Sequence, residues 1–515
     1  MSTVKQVTNN SEVDDRLSAL LTNAGAIRAI ASAVEGTIGP KGLDTMLVDQ
    51  FGNVIITNDG VTILEEMDVT HPAARMMIKI AQAQEDKVGD GTTTATVMAG
   101  AMIGEGVNQA ARGVPITRII EGIKLAVAEA QKFIQSEGLA LNSLTDPLLR
   151  KAALVAGRGR EEIADLVLEA CRILGSEKLK EPDFKLAECV KAVVGAKPEV
   201  FLGTMLQKKP LNRLDLAPIK DAKIMIFDDA LEPEKIEEEA LASEAGFNRY
   251  LELQQQFLHN LQKIKEIGAD VILLDRGLSE RAEEFLLDAG IMVVQRVMTG
   301  ELHKTAEHTG AHLLKKTALN KSSAQLEAAL GRAEAVYYDC KLEQIKIKGG
   351  AGKPEAVLTV GAATEEVLEE SRRIAEDAAS AVQAAWNGGI VSGGGAVELA
   401  ASLELEKLKV KTKGMAVYGM DCVITALRRP FEQIVSNAGF NSLEALGDVL
   451  GAQTERQKSS LALNCDTGKL EDMLELGVVD PVPVKLHALQ AAGEAAEAIL
   501  RINTIIKKRH DPNAE

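Results

Sequence analysis

The chain has 515 residues, 46% of them hydrophobic and 26% charged, which excludes wholesale disorder and allows a large core. Lys and Arg number 58 against 75 Asp and Glu, and the resulting net charge of −17 argues against a nucleic-acid backbone as the main partner. The one basic run, Lys507, Lys508 and Arg509, is too short to change that expectation.

At roughly 150 residues per domain the length corresponds to about three domains. Aromatics make up only 3%, so Ala, Val, Leu and Ile must fill the core. Residues 1–15 are polar and acidic, and no uninterrupted apolar window approaches about 18 residues, so neither a secretory leader nor a membrane span is expected. The five cysteines, Cys171, Cys189, Cys340, Cys422 and Cys465, are odd in number and never form C-x-x-C. That pattern speaks against a disulfide framework or a cysteine zinc site and for a reducing cytoplasm.

Leu17, Leu20, Leu21, Ala24, Ile27, Ile30 and Ala31 recur at three- and four-residue steps, predicting a helix with Gly36 as its left-handed cap. Short strands are predicted at 46–48 and 54–57, the second ending in the turn Asn58-Asp59-Gly60. Helices are expected over 73–86, 92–111 and 116–137. From 141 to 203 the texture changes to short helices and mixed connections. From about Pro210 it becomes α/β, with apolar runs at 222–227, 270–274 and 290–294 that read as parallel or mixed strands. Between the first two runs lies 231–268, rich in Glu and Gln, with Phe247, Tyr250, Leu251, Phe257, Leu258, Leu261 and Ile264 at helical spacing. It fits either an amphipathic surface helix or an element that projects toward another subunit. A long helix follows over 366–386, then two glycine clusters, then mostly helix to Lys508, with a polar and mobile tail expected over 509–515.

The chemistry concentrates in small-residue segments. Gly89-Asp90-Gly91-Thr92-Thr93-Thr94 precedes a helix. Glycines let backbone N–H groups approach an anion, the helix start adds its dipole, and threonine hydroxyls can donate to phosphate oxygens. Asp90 beside phosphate would be repelled unless a hard cation bridges them, so the segment reads as a Mg²⁺-polyphosphate cradle. The alternative is a helix N-cap in which Thr is the cap residue. No G-x-x-x-x-G-K-[ST] and no G-x-G-x-x-G occurs, so a nucleotide site must use another fold. Thr37-Ile38-Gly39-Pro40-Lys41-Gly42 and Gly393-Gly394-Gly395 are further candidates. Asp59 taken alone is turn chemistry and Asp377 taken alone a solvated helical acid. The Gly-rich segments near residues 91 and 388 lie in similar helical textures, and a domain built from both chain ends would unite them.

In this order, the motifs resemble the chaperonins. The matching residues are the 37–42 segment, Thr57-Asn58-Asp59-Gly60, Val88 to Thr94, Glu376-Asp377-Ala378, Gly393-Gly394-Gly395 and Val479-Asp480-Pro481, and the likeness spans about residues 15 to 508. Thr57 to Leu64, Gly268 to Ile272, Thr309-Gly310-Ala311 and Ile499 to Asn503 have the group II form of the thermosome and its eukaryotic cytosolic relative. Departures are Asp480 where group II usually has Glu, Arg158 where thermosomes often have a γ-phosphate-sensing Lys, Gly361-Ala362-Ala363 in place of Arg-Gly-Gly, and no Gly-Met-rich tail. This mixture resembles the divergent bacterial chaperonins of group II architecture, sometimes called group III.

The resemblance implies a multidomain fold: a mainly α-helical equatorial ATPase domain (1–140 and 383–515), a small α/β intermediate domain (141–208 and 346–382) and an α/β apical domain (209–345) with a helical protrusion near 231–268. It implies an ATP-dependent chaperone, a double ring of eight subunits each that encloses non-native client proteins in the cytoplasm. Its lid would be built in, with no separate co-chaperonin, nucleic acid or membrane. Position by position it implies Asp90 as the Mg²⁺ ligand and Asp59 and Asp377 as the catalytic pair acting on the attacking water. It also implies ATP contacts at Gly60, Gly89, Gly91, Thr92, Thr93 and Thr94, at Thr37, Ile38, Gly39 and Pro40, and at Gly394, Asn464 and Asp480, with Arg158 as the γ-phosphate sensor. Two rival readings are a small-molecule phosphotransferase using the same cradle and a ring scaffold without folding activity.

Overall fold

A computed structural model of the chain describes residues 5–8, 11–14, 16–48, 50–52, 54–211, 217–234, 236 and 243–508. The expectation for the tail 509–515 lies outside them, as do Arg509 and part of the 231–268 segment. Two compact units emerge: Met1–Leu168 with Lys185–Glu188 and Glu369–Glu515, and Glu169–Phe184 with Cys189–Leu368. Both chain ends therefore build the first unit. All five cysteines are free thiols.

The first unit is helical. Its hub is the Thr92–Ala111 helix, on the bounds that the periodicity predicts, and Val97, Met98, Met102, Ile103 and Val107 on it are all buried. A helix apolar on every side must be surrounded, and Arg16–Val34, Val417–Asn437 and Val482–Leu500 pack around it. The Ile116–Ser136 and Val417–Asn437 helices cross where Gly122 meets Gly419. A β-carbon on Gly122 would lie 2.0 Å from the Ala416 carbonyl oxygen, so only glycine admits this approach.

One expectation needs correction here. Gly36 is not a left-handed cap: it lies in a 3-10 turn, Glu35–Thr37, after a helix that ends at Val34. The terminal carbonyls are satisfied by side chains instead. The Thr37 hydroxyl donates to the Val34 oxygen, and Asn437 Nδ2 donates to the oxygens of Glu35 and Ile38, so no left-handed residue is required. The C-terminal stretch is mostly helix, as expected, up to Leu500, with short strands between and after its helices. It contains the Ile390–Ser392 and Val479–Pro481 strand pair, the Leu461–Asn464 and Lys469–Asp472 hairpin, and an Ile505–Lys508 strand beside Ser11–Asp14.

The second unit is built on a nine-stranded mixed sheet. Ile219–Phe227, Val271–Leu274 and Met292–Val294 run parallel, where the apolar runs predict strands. Alternate residues of the first strand serve two cores. Met225 and Phe227 join Leu261 and Ile264 of the Glu244–Glu266 helix, while Ile224 and Ile226 join Leu302 of the Thr299–Thr309 helix. A sheet covered on both faces needs apolar residues at consecutive positions, which is why these strands read as unbroken hydrophobic runs. Glu199–Leu206, Gly331–Asp339, Gln344–Gly350 and Ala356–Val360 extend the sheet with antiparallel pairings. Within 231–268 the Glu244–Glu266 helix starts at an Ser243 cap. Its later turns bury Phe257, Leu261 and Ile264, while Phe247 and Leu251 near its start are exposed.

Candidate nucleotide site

The site elements all lie in the first unit. Gly89 ends the Pro72–Val88 helix and Gly91 begins the Thr92–Ala111 helix, both left-handed with φ of 70° and 80°. Asp90 sits between them. A β-carbon on Gly91 would lie 2.6 Å from Val484 Cγ1, so glycine is required for space as well as for φ. Asp90 accepts the Gly91 N–H at 2.6 Å, and Gln84 Nε2 donates to the Asp90 carbonyl oxygen at 2.9 Å. The cap position belongs to Gly91, and no side chain caps this helix. This removes the reading of the segment as a threonine N-cap and leaves the first-turn N–H groups of Thr92, Thr93 and Thr94 without a side-chain acceptor.

Asp59 is placed differently. It is itself the N-cap of Gly60–Glu65, accepting the N–H groups of Val61 and Thr62 at 3.3 and 2.9 Å and the Thr62 hydroxyl at 2.6 Å. A β-carbon on Gly60 would lie 2.4 Å from Thr93 Oγ1, so the 59–60 turn lies directly against the threonine segment.

Asp377 lies on the Glu365–Gly388 helix, and its Oδ2 is 3.9 Å from an Arg158 guanidinium nitrogen. Its carboxyl is held well above the ordinary carboxylate range, first by burial, then by the charges of Asp90, Asp59 and Glu85, with Arg158 opposing. Asp90 is pushed up to about 6 by burial and by Asp480, against the Gly91 N–H and Lys485. Glu85 is pushed up to about 7 by burial, Asp59 and Asp90. Asp59, Glu85, Asp90, Asp377 and Asp480 thus share one electrostatic environment, although they come from both ends of the chain. Sequence reasoning missed Glu85, which an acid one helical turn before Gly89 could have signalled.

Asp480 pairs with Val391 across the Ile390–Ser392 strand, and a β-carbon on Gly393 would lie 3.0 Å from its Oδ2. Lys485 is sandwiched between Asp480 at 2.7 Å and the deeply buried Glu398 at 2.6 Å. Neither Lys485 nor Glu398 was foreseen. Gly394 and Gly395 are left-handed, and the helix that Gly395 begins, Ala396–Lys411, also lacks a side-chain cap. β-carbons on Gly395 and Gly39 would meet Phe431 and Ile434, one turn apart on a single helix. The Thr37–Pro40 loop and the 393–395 turn therefore rest on the same face. Asn464 is not drawn toward the acids by any hydrogen bond: its side chain closes its own hairpin, donating to Glu471 and accepting the Asp466 N–H, both at 2.9 Å.

The arrangement offers an anion site at uncapped helix starts facing a group of carboxylates. Among the described residues no group of three His, Cys, Asp or Glu is spaced to hold a metal ion by itself. A cation here would take one carboxylate and complete its shell with ligand and water oxygens, which is the habit of Mg²⁺.

The model of the TCP-1/cpn60 chaperonin family matches residues 30–510. The chain belongs to that family. Among its relatives are the thermosome subunit of Pyrococcus horikoshii, 34% identical over 94% of this chain and 90% of the relative, and thermosome subunit alpha of Thermoplasma acidophilum, 34% identical over 96% and 92%. A crystal structure of a group III chaperonin in the open state is 46% identical, with a TM-score of 0.87, and covers 95% of this chain and 99% of that one. This chaperonin is accordingly of the group II-like, group III kind, with equatorial, intermediate and apical domains. It is an ATP-dependent, ring-forming chaperone that acts on client proteins and hydrolyses ATP in doing so. No helix among the described residues is long and apolar enough to cross a membrane.

Proposed function

We propose that the Gly89–Thr94 turn binds the β- and γ-phosphates of ATP and that Asp90 holds Mg²⁺. The carrying observation is that Asp90 stands between two left-handed glycines ahead of an uncapped helix, in the same electrostatic environment as Asp377. The first-turn N–H groups and the hydroxyls of Thr92, Thr93 and Thr94 receive phosphate oxygens, with Gly60 close by. Thr37, Ile38, Gly39 and Pro40 flank the α-phosphate and ribose, and Gly394, Asn464 and Asp480 complete the nucleoside end. Bound Mg²⁺ supplies charge neutralisation for the transferring phosphoryl group. Asp59 and Asp377 position the attacking water and accept its proton. Burial holds the Asp377 carboxyl toward its protonated form, and a bound cation favours the ionised form that a base requires. Arg158 reads the γ-phosphate, a role that its 3.9 Å distance from Asp377 supports.

Asp377→Ala tests this reading. It should retain ATP binding while hydrolysis falls by ~10²–10⁴, the contribution of general-base assistance. Wild-type turnover in that variant would remove the assigned role.

The 1–140 and 383–515 segments form the equatorial domain, 141–208 with 346–382 the intermediate, and 209–345 the apical. The working particle is a double ring of eight subunits each in the cytoplasm, closed by its own 231–268 segments without a co-chaperonin. Two observations favour self-association and a lid. The Thr45–Val48 and Val54–Thr57 hairpin exposes Met46, Val48, Val54 and Ile56, an apolar surface that a second copy would cover. Exposed Phe247 and Leu251 near the start of the Glu244–Glu266 helix offer contacts for the lid. Negative-stain images of the purified protein with and without Mg-ATP check ring count and closure.

A further inference from the structure

We propose that Glu370 is a positioning residue that ties both water-activating acids to one anchor, working through Thr57 on one side and Arg158 on the other. The inference rests on the hydrolytic reading given above and deepens it.

Glu370 and Asp377 are seven residues apart on the Glu365–Gly388 helix. Seven residues are close to two turns, so both carboxylates leave the same face. Glu370 is 19% exposed, and its two oxygens divide their partners. One oxygen forms an ion pair with the Arg158 guanidinium. The other accepts the Thr57 hydroxyl at 3.4 Å and an Arg373 nitrogen at 3.1 Å.

Each partner leads to a proposed catalytic acid. The Thr57 hydroxyl, fully buried, accepts the backbone N–H of Asp59 at 3.0 Å while donating to Glu370. A hydroxyl can do both because it has one proton and two lone pairs. Thr57 therefore fixes the start of the Asp59 turn with respect to the helix that carries Asp377. On the other side, the same guanidinium that pairs with Glu370 lies 3.9 Å from Asp377 Oδ2. Arg158 is a non-glycine residue at φ 53°, a left-handed conformation that costs energy and persists where the surroundings demand it. Its pairing with Glu370 is the contact that holds this side chain beside Asp377.

Without Glu370 the Asp59 turn and the Asp377 helix keep their own folds but lose the shared acceptor between them. Misplacement of about 1 Å in a reacting geometry can cost ~10²-fold. Glu370 touches neither substrate nor water in this scheme, so its loss should appear in kcat and leave ATP affinity alone.

The experiment is steady-state ATPase kinetics on the full chain with Thr57→Val, Thr57→Ser, Glu370→Gln and the Thr57→Val/Glu370→Gln double variant, with Asp377→Ala as reference. Valine keeps the shape of threonine and removes the hydroxyl; serine restores it. Thr57→Val and Glu370→Gln should each lower kcat about 10- to 100-fold with the ATP KM within about threefold of wild type. Thr57→Ser should recover most of the rate, and the double variant should fall well short of the product of the single losses, because both changes cut one connection. Wild-type kcat in both single variants, a rise in KM matching the fall in kcat/KM, equal losses in Thr57→Ser and Thr57→Val, or multiplicative losses in the double variant would each overturn the proposal. If Asp377→Ala itself turns over at the wild-type rate, the hydrolytic reading fails; if Asp377→Ala is inactive while Thr57→Val and Glu370→Gln are normal, only the role of Glu370 fails.

Discussion

Two turns in the first unit contain the same residue types and do opposite things with them. In the 57–62 turn, Asp59 is the cap of its helix and its carboxylate takes three donors from Val61 and Thr62. In the 89–94 turn, Asp90 stands one residue earlier, Gly91 is the cap, and the helix start is left without a side-chain acceptor. A one-residue displacement of the acid decides whether it closes a helix or leaves that helix open to an anion. A carboxylate has about four acceptor sites, so Asp59 is oriented by its donors and keeps little freedom, which suits the water-holding role proposed for it. Asp90 keeps more of its capacity for a ligand.

The largest effect that separates the turns is expected at Asp90. Asp90→Ala should abolish Mg²⁺-dependent hydrolysis, a loss of at least ~10³-fold, since a metal ion supplies several kcal/mol to the transition state. The Gly60–Glu65 helix should be untouched. A Mg²⁺ titration of ATPase activity reads this, and an unchanged midpoint would break the contrast between the turns. Asp59 should show a split response instead. Asp59→Asn keeps a capping oxygen and loses the charge, so hydrolysis should fall by ~10²-fold or more with little change in Tm. Asp59→Ala should lose about 1 kcal/mol of stability in addition. Equal Tm values for the two variants would show that the cap contributes nothing.

The 89–94 turn was legible in the sequence because its requirements are local: left-handed backbone at Gly89 and Gly91 admits few residues other than glycine, and a helix follows at once. The hub helix and the parallel strands were legible for the same reason, their burial being written in consecutive residues. Asp377 was not, since an acid on a helix looks the same whether it faces solvent or a ligand, and only the resemblance to chaperonins singled it out. Residues whose meaning depends on distant partners were missed. The Thr57 hydroxyl and Glu370 are 313 residues apart, and Asn437 is 402 from the Glu35 carbonyl it caps. The antiparallel strands of the second unit were missed because they place charged residues among buried ones. Lys346 and Lys348 lie within the Gln344–Gly350 strand, and Lys346 is buried against Glu199.

The smallest of these effects is a dependence of stability on pH, and it too sorts the turns. The open turn gathers buried acids, so it is where protonation should be felt. Asp90 is raised from 3.8 to about 6 and Glu85 from 4.5 to about 7. Between the ordinary and the raised values the folded protein holds protons that the unfolded chain has released. Stability therefore falls as pH rises wherever the native state binds more protons. Nucleotide-free chaperonin should lose Tm progressively as pH rises from about 3.8 through about 7. Saturating Mg-ATP should flatten that slope, because the cation stabilises the ionised carboxylates. Glu85→Gln should flatten it without nucleotide, by removing one of the titrating groups. A slope that survives in Glu85→Gln at full size would place the stored charge elsewhere in the unit and dissolve the electrostatic half of the contrast between the two turns.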